Sequence, residues 1–167
     1  MQKLLLLLVV VITNGSMAFS QARVPETPRI TVQGKNVKIA YGQISKRNRD
    51  IFGKLVPYGR VWSIGANEAT EITFSTNGTF GGKPIKAGTY TLFTIPEAKE
   101  WTFILNSELK QWGAYEYAKI KNKDVLQIKV PASTISGAPV EKLTISLPAG
   151  KLVVEWDKTR VEVPVKF

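Results

Sequence analysis

The chain has 167 residues, 23 Lys and Arg against 13 Asp and Glu for a formal charge of +10, and neither histidine nor cysteine. Those two absences remove the imidazole and thiolate ligands of ordinary zinc and copper sites. They also exclude Ser-His-Asp and Cys-His catalysis, and any disulfide. The length suits one domain, large enough to bury a core without cross-links.

The first segment reads as a leader. Lys3 precedes an unbroken apolar run from Leu4 to Ile12, followed by Asn14, Gly15 and Ser16 and by small residues at Ala18, Ser20 and Ala22. That order predicts a cleaved signal peptide over residues 1–22, cut after Ser20 or Ala22. The apolar run is too short for a membrane span, which needs about 20 such residues. The expectation is an exported protein, periplasmic or extracellular, with no stable membrane insertion after cleavage. Residues 23–28 contain Pro25 and Pro28 and read as an extended N-terminal arm, with the folded domain over 29–167.

From Ile30 onward, period-two alternation dominates. Ile30 and Val32 alternate with polar neighbours, and Gly34-Lys35-Asn36 turns the chain into Val37, Ile39 and Tyr41. Between these and the next stripe, Asp50–Val56 is a candidate short helix, with Asp50 as N-cap and Pro57 as stop. Ile72 and Phe74 lead to Asn77-Gly78, a type I′ hairpin signal that is a better reading of Asn77-Gly78-Thr79 than a glycosylation sequon. Thr89–Ile95 and Trp101–Asn106 follow, then Ser107–Trp112 as a second candidate helical connector. Stripes at Leu126–Val130, Leu143–Leu147, Leu152–Trp156 and Val161–Phe167 complete the chain. The pattern predicts an all-β fold: a single antiparallel β-sandwich or jelly-roll-like domain of about nine strands, with one or two short helical connectors.

The basic residues are mostly scattered, as at Lys35, Lys38, Lys129, Lys151 and Lys166, where they read as solubility and edge protection. Lys46-Arg47-Asn48-Arg49 is the densest cluster and could meet an anionic partner; export argues against nucleic acid. No phosphate-binding glycine loop or calcium loop occurs, so no metal or cofactor is expected. A carboxylate pair is the catalytic option that remains, with Glu68 as its candidate acid or base. The bland alternative is a loop carboxylate that bonds backbone N–H groups or a lysine. Trp101 and Trp156 alternate with polar neighbours and read as core. Trp62 and Trp112 lie near glycines in irregular segments, with Tyr115 and Tyr117 close by. They suit either an aromatic rim for a flat ligand such as a carbohydrate or a satellite core under a long loop.

Several segments together resemble one family. They are Ile51–Gly59, Val61-Trp62, Gly65-Ala66-Asn67-Glu68-Ala69-Thr70, Ala87–Pro96, Trp101-Thr102 and Gln111-Trp112-Gly113-Ala114. Their order and spacing resemble the DUF2911 family, exported proteins found chiefly in Bacteroidetes, over about Pro28 to Val165. The resemblance implies a compartment and a β-fold but no activity. The family pattern often has Arg after the motif tryptophan, where this chain has Ser63.

Three functions follow in order of preference. The first is non-catalytic binding of a glycan, cell-envelope component or partner protein, with Trp62, Asn67, Glu68, Trp112 and Tyr115 as ligand-binding candidates. The second is a structural envelope module. The third is a carboxylate-dependent, glycan-active hydrolase using Glu68.

Overall fold

The computed structural model describes residues 27–167, so the leader and all but the last two residues of the arm lie outside it. Alternating burial produces the strands. In β2 (Val37–Gly42), Val37, Ile39 and Tyr41 are buried while Lys38 faces solvent, as the pleat requires when one face of a sheet covers a core. The other strands are β1 (Arg29–Gln33), β3 (Glu71–Phe74), β4 (Gly78–Phe80), β5 (Lys83–Ile85), β6 (Gly88–Pro96), β7 (Glu100–Asn106), β8 (Asp124–Thr134), β9 (Val140–Ser146), β10 (Lys151–Asp157) and β11 (Thr159–Lys166).

All pairings between these strands are antiparallel, in the order β1-β2-β3-β6-β7-β8-β11-β10-β9. The sheet curls until it nearly closes. Beyond β2 the chain continues alongside β9, where Lys46 N donates to Glu141 O at 2.7 Å and Leu143 N donates to Ile44 O at 2.8 Å. Tyr41 reinforces this seam from inside: its hydroxyl lies 3.4 Å from Leu143 O and accepts from Ile145 N at 3.2 Å. Closure removes an edge that would otherwise offer unpaired backbone groups to other chains.

Two short strands escaped the sequence reading. β4 and β5 form a hairpin whose β4 pairs with the end of β11, at Val165 and Lys166, while β8 pairs with its start, over Thr159 to Val161. The hairpin turn is Gly81-Gly82, with φ of +58° and +79°, and not Asn77-Gly78. Asn77 Oδ1 instead accepts from Ala87 N at 2.8 Å, and Gly78 lets the backbone pass close to Lys166 O. Signals for tight turns are local, but strand pairing is not, and here β3 pairs with β6 across the whole hairpin.

Neither predicted helix forms. Asp50–Val56 is a compact loop reversed by Gly53 at φ +84°, with Val56 N donating to Ile51 O at 2.9 Å. Ser107–Trp112 is also irregular. The single α-helical turn is Tyr117–Ile120 (α1), followed by a 3-10 turn at Lys121–Lys123. It covers a satellite core of Ala69, Phe93, Ile104 and Tyr117 on the outer face of β6 and β7.

The main core fills the interior of the curled sheet, with Trp101, Trp156, Phe103 and Phe80 almost completely buried. At one end Phe52 and Trp62 plug the opening. Trp62 stacks on Trp156 with ring centroids 6.0 Å apart and planes 19° apart, and meets Trp101 and Phe52 edge-on. Such aromatic pairs add to the stabilisation given by area burial. Two buried polar atoms, Thr94 Oγ1 and Trp101 Nε1, have no hydrogen-bond partner within the described protein.

Candidate functional site

Above the Trp62 plug lies an open cleft of about 650 Å³. Three segments build it. The first is the turn after the β2–β9 seam. Arg47 and Asn48 both adopt left-handed backbone, φ +49° and +58°, which is uncommon for residues other than glycine. The turn is tied down from several sides. Arg47 N donates to Glu141 Oε1 at 2.8 Å, Arg49 folds back to donate to Lys46 O and Ser45 O, and Lys46 Nζ pairs with Asp157 at 3.0 Å.

The second segment runs from Val61 to Asn67. Trp62 exchanges two backbone hydrogen bonds with Thr94 of β6, at 2.7 and 2.8 Å. Ile64 then takes φ +51°, a conformation that crowds a β-branched side chain. Thr70 holds it there: its Oγ1 donates to Ile64 O at 2.8 Å and its N donates to Ser63 O at 3.1 Å. The return of the chain over β2 requires two glycines. A Cβ on Gly42 would lie 2.1 Å from Ala66 O, and one on Gly65 would lie 2.9 Å from Gly42 O.

The third segment, Trp112 to Tyr115, is carried by the second. Ala69 N donates to Gln111 O and Gly113 N donates to Asn67 O, both at 2.8 Å, making a short two-stranded ribbon. Gly113 at φ +59° then turns the chain outward. Tyr117 anchors its far end in the satellite core. Its hydroxyl donates to Asp124 Oδ2 at 2.7 Å, and burial first, then that bond and the Asp124 charge, push the phenol well above its ordinary pKa. Trp112 and Tyr115, by contrast, stand 60% and 83% exposed. Large aromatic rings that exposed have given up most of the burial that would otherwise stabilise them in a core.

The fold brings Trp62, Asn67, Trp112 and Tyr115 onto this one concave surface, joined by Trp156, Leu55, Arg47 and Arg49. Glu68 does not line it. Its carboxylate lies 3.8 Å from Arg29 Nη1, and the Arg29 guanidinium also donates to the carbonyls of Glu68 and Ala69. The expected ties from Glu68 to backbone N–H groups or a lysine are therefore replaced by an exposed pairing with an arginine of β1. Ser63 is buried in the wall of the cleft. Among the described residues no group of three or more His, Cys, Asp or Glu could hold a metal ion.

The two arginines were missed as site residues. The basic run Lys46–Arg49 was visible in the sequence, but nothing local showed that its turn faces residues 62 to 67 and 112 to 115. Of the six non-glycine residues with left-handed φ among those described, Arg47, Asn48, Ile64 and Asn67 lie in the segments that frame the cleft, Lys110 just precedes the third, and Asp157, at the β10–β11 turn, pairs with Lys46. Unfavourable backbone concentrated at one place in a fold is a pointer to function.

A family model described as a protein of unknown function, DUF2911, matches residues 24–165. No curated protein and no solved structure matches the chain.

Proposed function

Because the chain belongs to the DUF2911 family, whose description carries no activity, we propose from the cleft alone that this is a non-catalytic glycan-binding domain. In this reading it works outside the cytoplasm, in the periplasm or beyond the cell, after loss of the residue 1–22 leader. One observation carries the reading: Trp112, on the hydrogen-bonded ribbon, and Tyr115, just beyond it, stand 60% and 83% exposed beside an open cleft. Flat aromatic faces pack against the apolar faces of sugar rings, and an open groove accepts a chain that extends past both ends. Asn67, at the base of the same ribbon, supplies an amide that can both donate to and accept from hydroxyls.

Hydrolysis is the weaker reading. A glycosidase needs two carboxyl groups facing each other across the bound sugar, about 5–9 Å apart. Among the described residues no Asp or Glu lines the cleft, and Glu68 sits outside it beside Arg29.

The test is a glycan array with the mature domain, repeated with Trp112→Ala and Tyr115→Ala. Binding to one or more glycans is expected. Each variant should lose at least tenfold in affinity, while its melting temperature stays within about 2 °C, as for other exposed positions. Absence of any hit, or hits indifferent to both variants, would overturn the reading.

A further inference from the structure

The charges of the cleft go further than its shape. We propose that it selects acidic glycans, with the guanidinium of Arg47 receiving an anionic group on a sugar ring; this deepens the glycan reading and rests on it. Among the described residues, Arg47 and Arg49 are the only charged side chains lining the cleft. Most of the charged groups nearby are held in contacts of their own. Lys46 pairs with Asp157, and Arg29 pairs with Glu68. Glu141, the carboxylate nearest Arg47 in the hydrogen-bond network, accepts from the Arg47 backbone N–H through Oε1 and keeps its charge, but forms no ion pair with the Arg47 guanidinium. Arg49 folds onto its own turn through Nε and Nη2.

The guanidinium of Arg47 is left with no hydrogen bond or ion pair to another described residue, although its backbone is held in place from Glu141. The described lining of the cleft therefore carries two guanidinium groups and no carboxylate, beside exposed aromatic faces. A planar guanidinium binds carboxylate and phosphate oxygens through two parallel N–H donors, which gives orientation as well as attraction. The left-handed pair Arg47-Asn48 holds this donor at the cleft at a conformational cost that a glycine there would avoid. A ring packed on Trp112 or Tyr115 with an acidic group turned toward Arg47 meets both features together. Uronates, sulfated sugars and phosphorylated sugars share that chemistry.

The experiment compares matched glycans that differ in charge. Uronate oligosaccharides are measured against their methyl esters, and sulfated and phosphorylated oligosaccharides against the unmodified chains, by calorimetry at low and raised salt. The proteins are the parent domain, Arg47→Gln, Arg47→Lys and Trp112→Ala. The parent is expected to prefer the charged member of at least one pair by tenfold or more, with affinity falling as salt rises. Arg47→Gln should abolish that preference, and Arg47→Lys, which keeps charge but loses the fork, should keep part of it. The class of pair that responds identifies the carrier of the charge. Equal binding of charged and neutral members, or a preference that survives Arg47→Gln, overturns the acidic selection while leaving the glycan reading intact. No binding to any glycan by the parent overturns both.

Discussion

Replacing Gly42 with alanine attacks the joint that positions the cleft. The added Cβ would fall 2.1 Å from Ala66 O and 3.0 Å from both Ala66 C and Ala66 N. An unstrained carbon–oxygen contact needs about 3.3 Å, so the two backbones must part by roughly 1 Å. Neither side can yield by turning a side chain. Gly42 belongs to β2 and pairs with Arg29, while Ala66 precedes Asn67, whose carbonyl holds the Trp112 ribbon. Overpacking of this kind costs about 3 kcal/mol, at the upper end of the usual range because the clash is with backbone. For a domain of this size that corresponds to a fall of about 10 °C in melting temperature. Gly82→Ala is the matched control: φ there is +79° and nothing lies within 4 Å of the added Cβ. It therefore reports backbone strain alone, about 1 kcal/mol and a few degrees. Thermal unfolding followed by circular dichroism measures both. If Gly42→Ala melts no lower than Gly82→Ala, the close crossing of β2 under residues 65–67 does not hold the cleft loop.

Two more outcomes follow from buried polar groups. Thr94 Oγ1 is buried without a protein partner, so Thr94→Val should raise stability by about 1 kcal/mol in urea unfolding; a loss would mean that the hydroxyl is satisfied in solution. Tyr117→Phe should cost about 1 kcal/mol near pH 8 by removing the bond to Asp124. Because the folded-state phenol pKa is raised, this contribution is complete below the unfolded value of about 10 and is lost as pH rises beyond it. The stability gap between parent and Tyr117→Phe should accordingly narrow from pH 9 to 11.5 in denaturant titrations. A gap that widens over that range would contradict the raised pKa.

The strands were legible because burial on a pleated sheet alternates with period two, a relation between neighbouring residues. Val37, Ile39 and Tyr41 declare their strand in six residues, and the same alternation marked Trp101 and Trp156 as core. The short strands β4 and β5 were not legible, since three residues carry too little periodicity and Gly81-Gly82 resembles any flexible loop. The helix predictions failed for a related reason. Asp50 and Ser107 are good caps, but a capping residue cannot sustain a helix where Gly53 reverses the chain or where residues 111–113 are drawn into a ribbon with residues 67–69.

Composition, alternation and motif spacing thus determined the class of fold, the family resemblance and the absence of histidine and thiol chemistry. They also brought Trp62, Asn67, Glu68, Trp112 and Tyr115 forward as residues to examine. Only the tertiary structure decided that Glu68 turns away to Arg29 while Arg47 joins the aromatic residues at one cleft. The reason is geometric. Which face a strand residue takes is set by its immediate neighbours, whereas the cleft depends on residues 44–46, just beyond β2, meeting β9, and on Gly42 passing beneath Ala66, contacts between segments far apart in the chain.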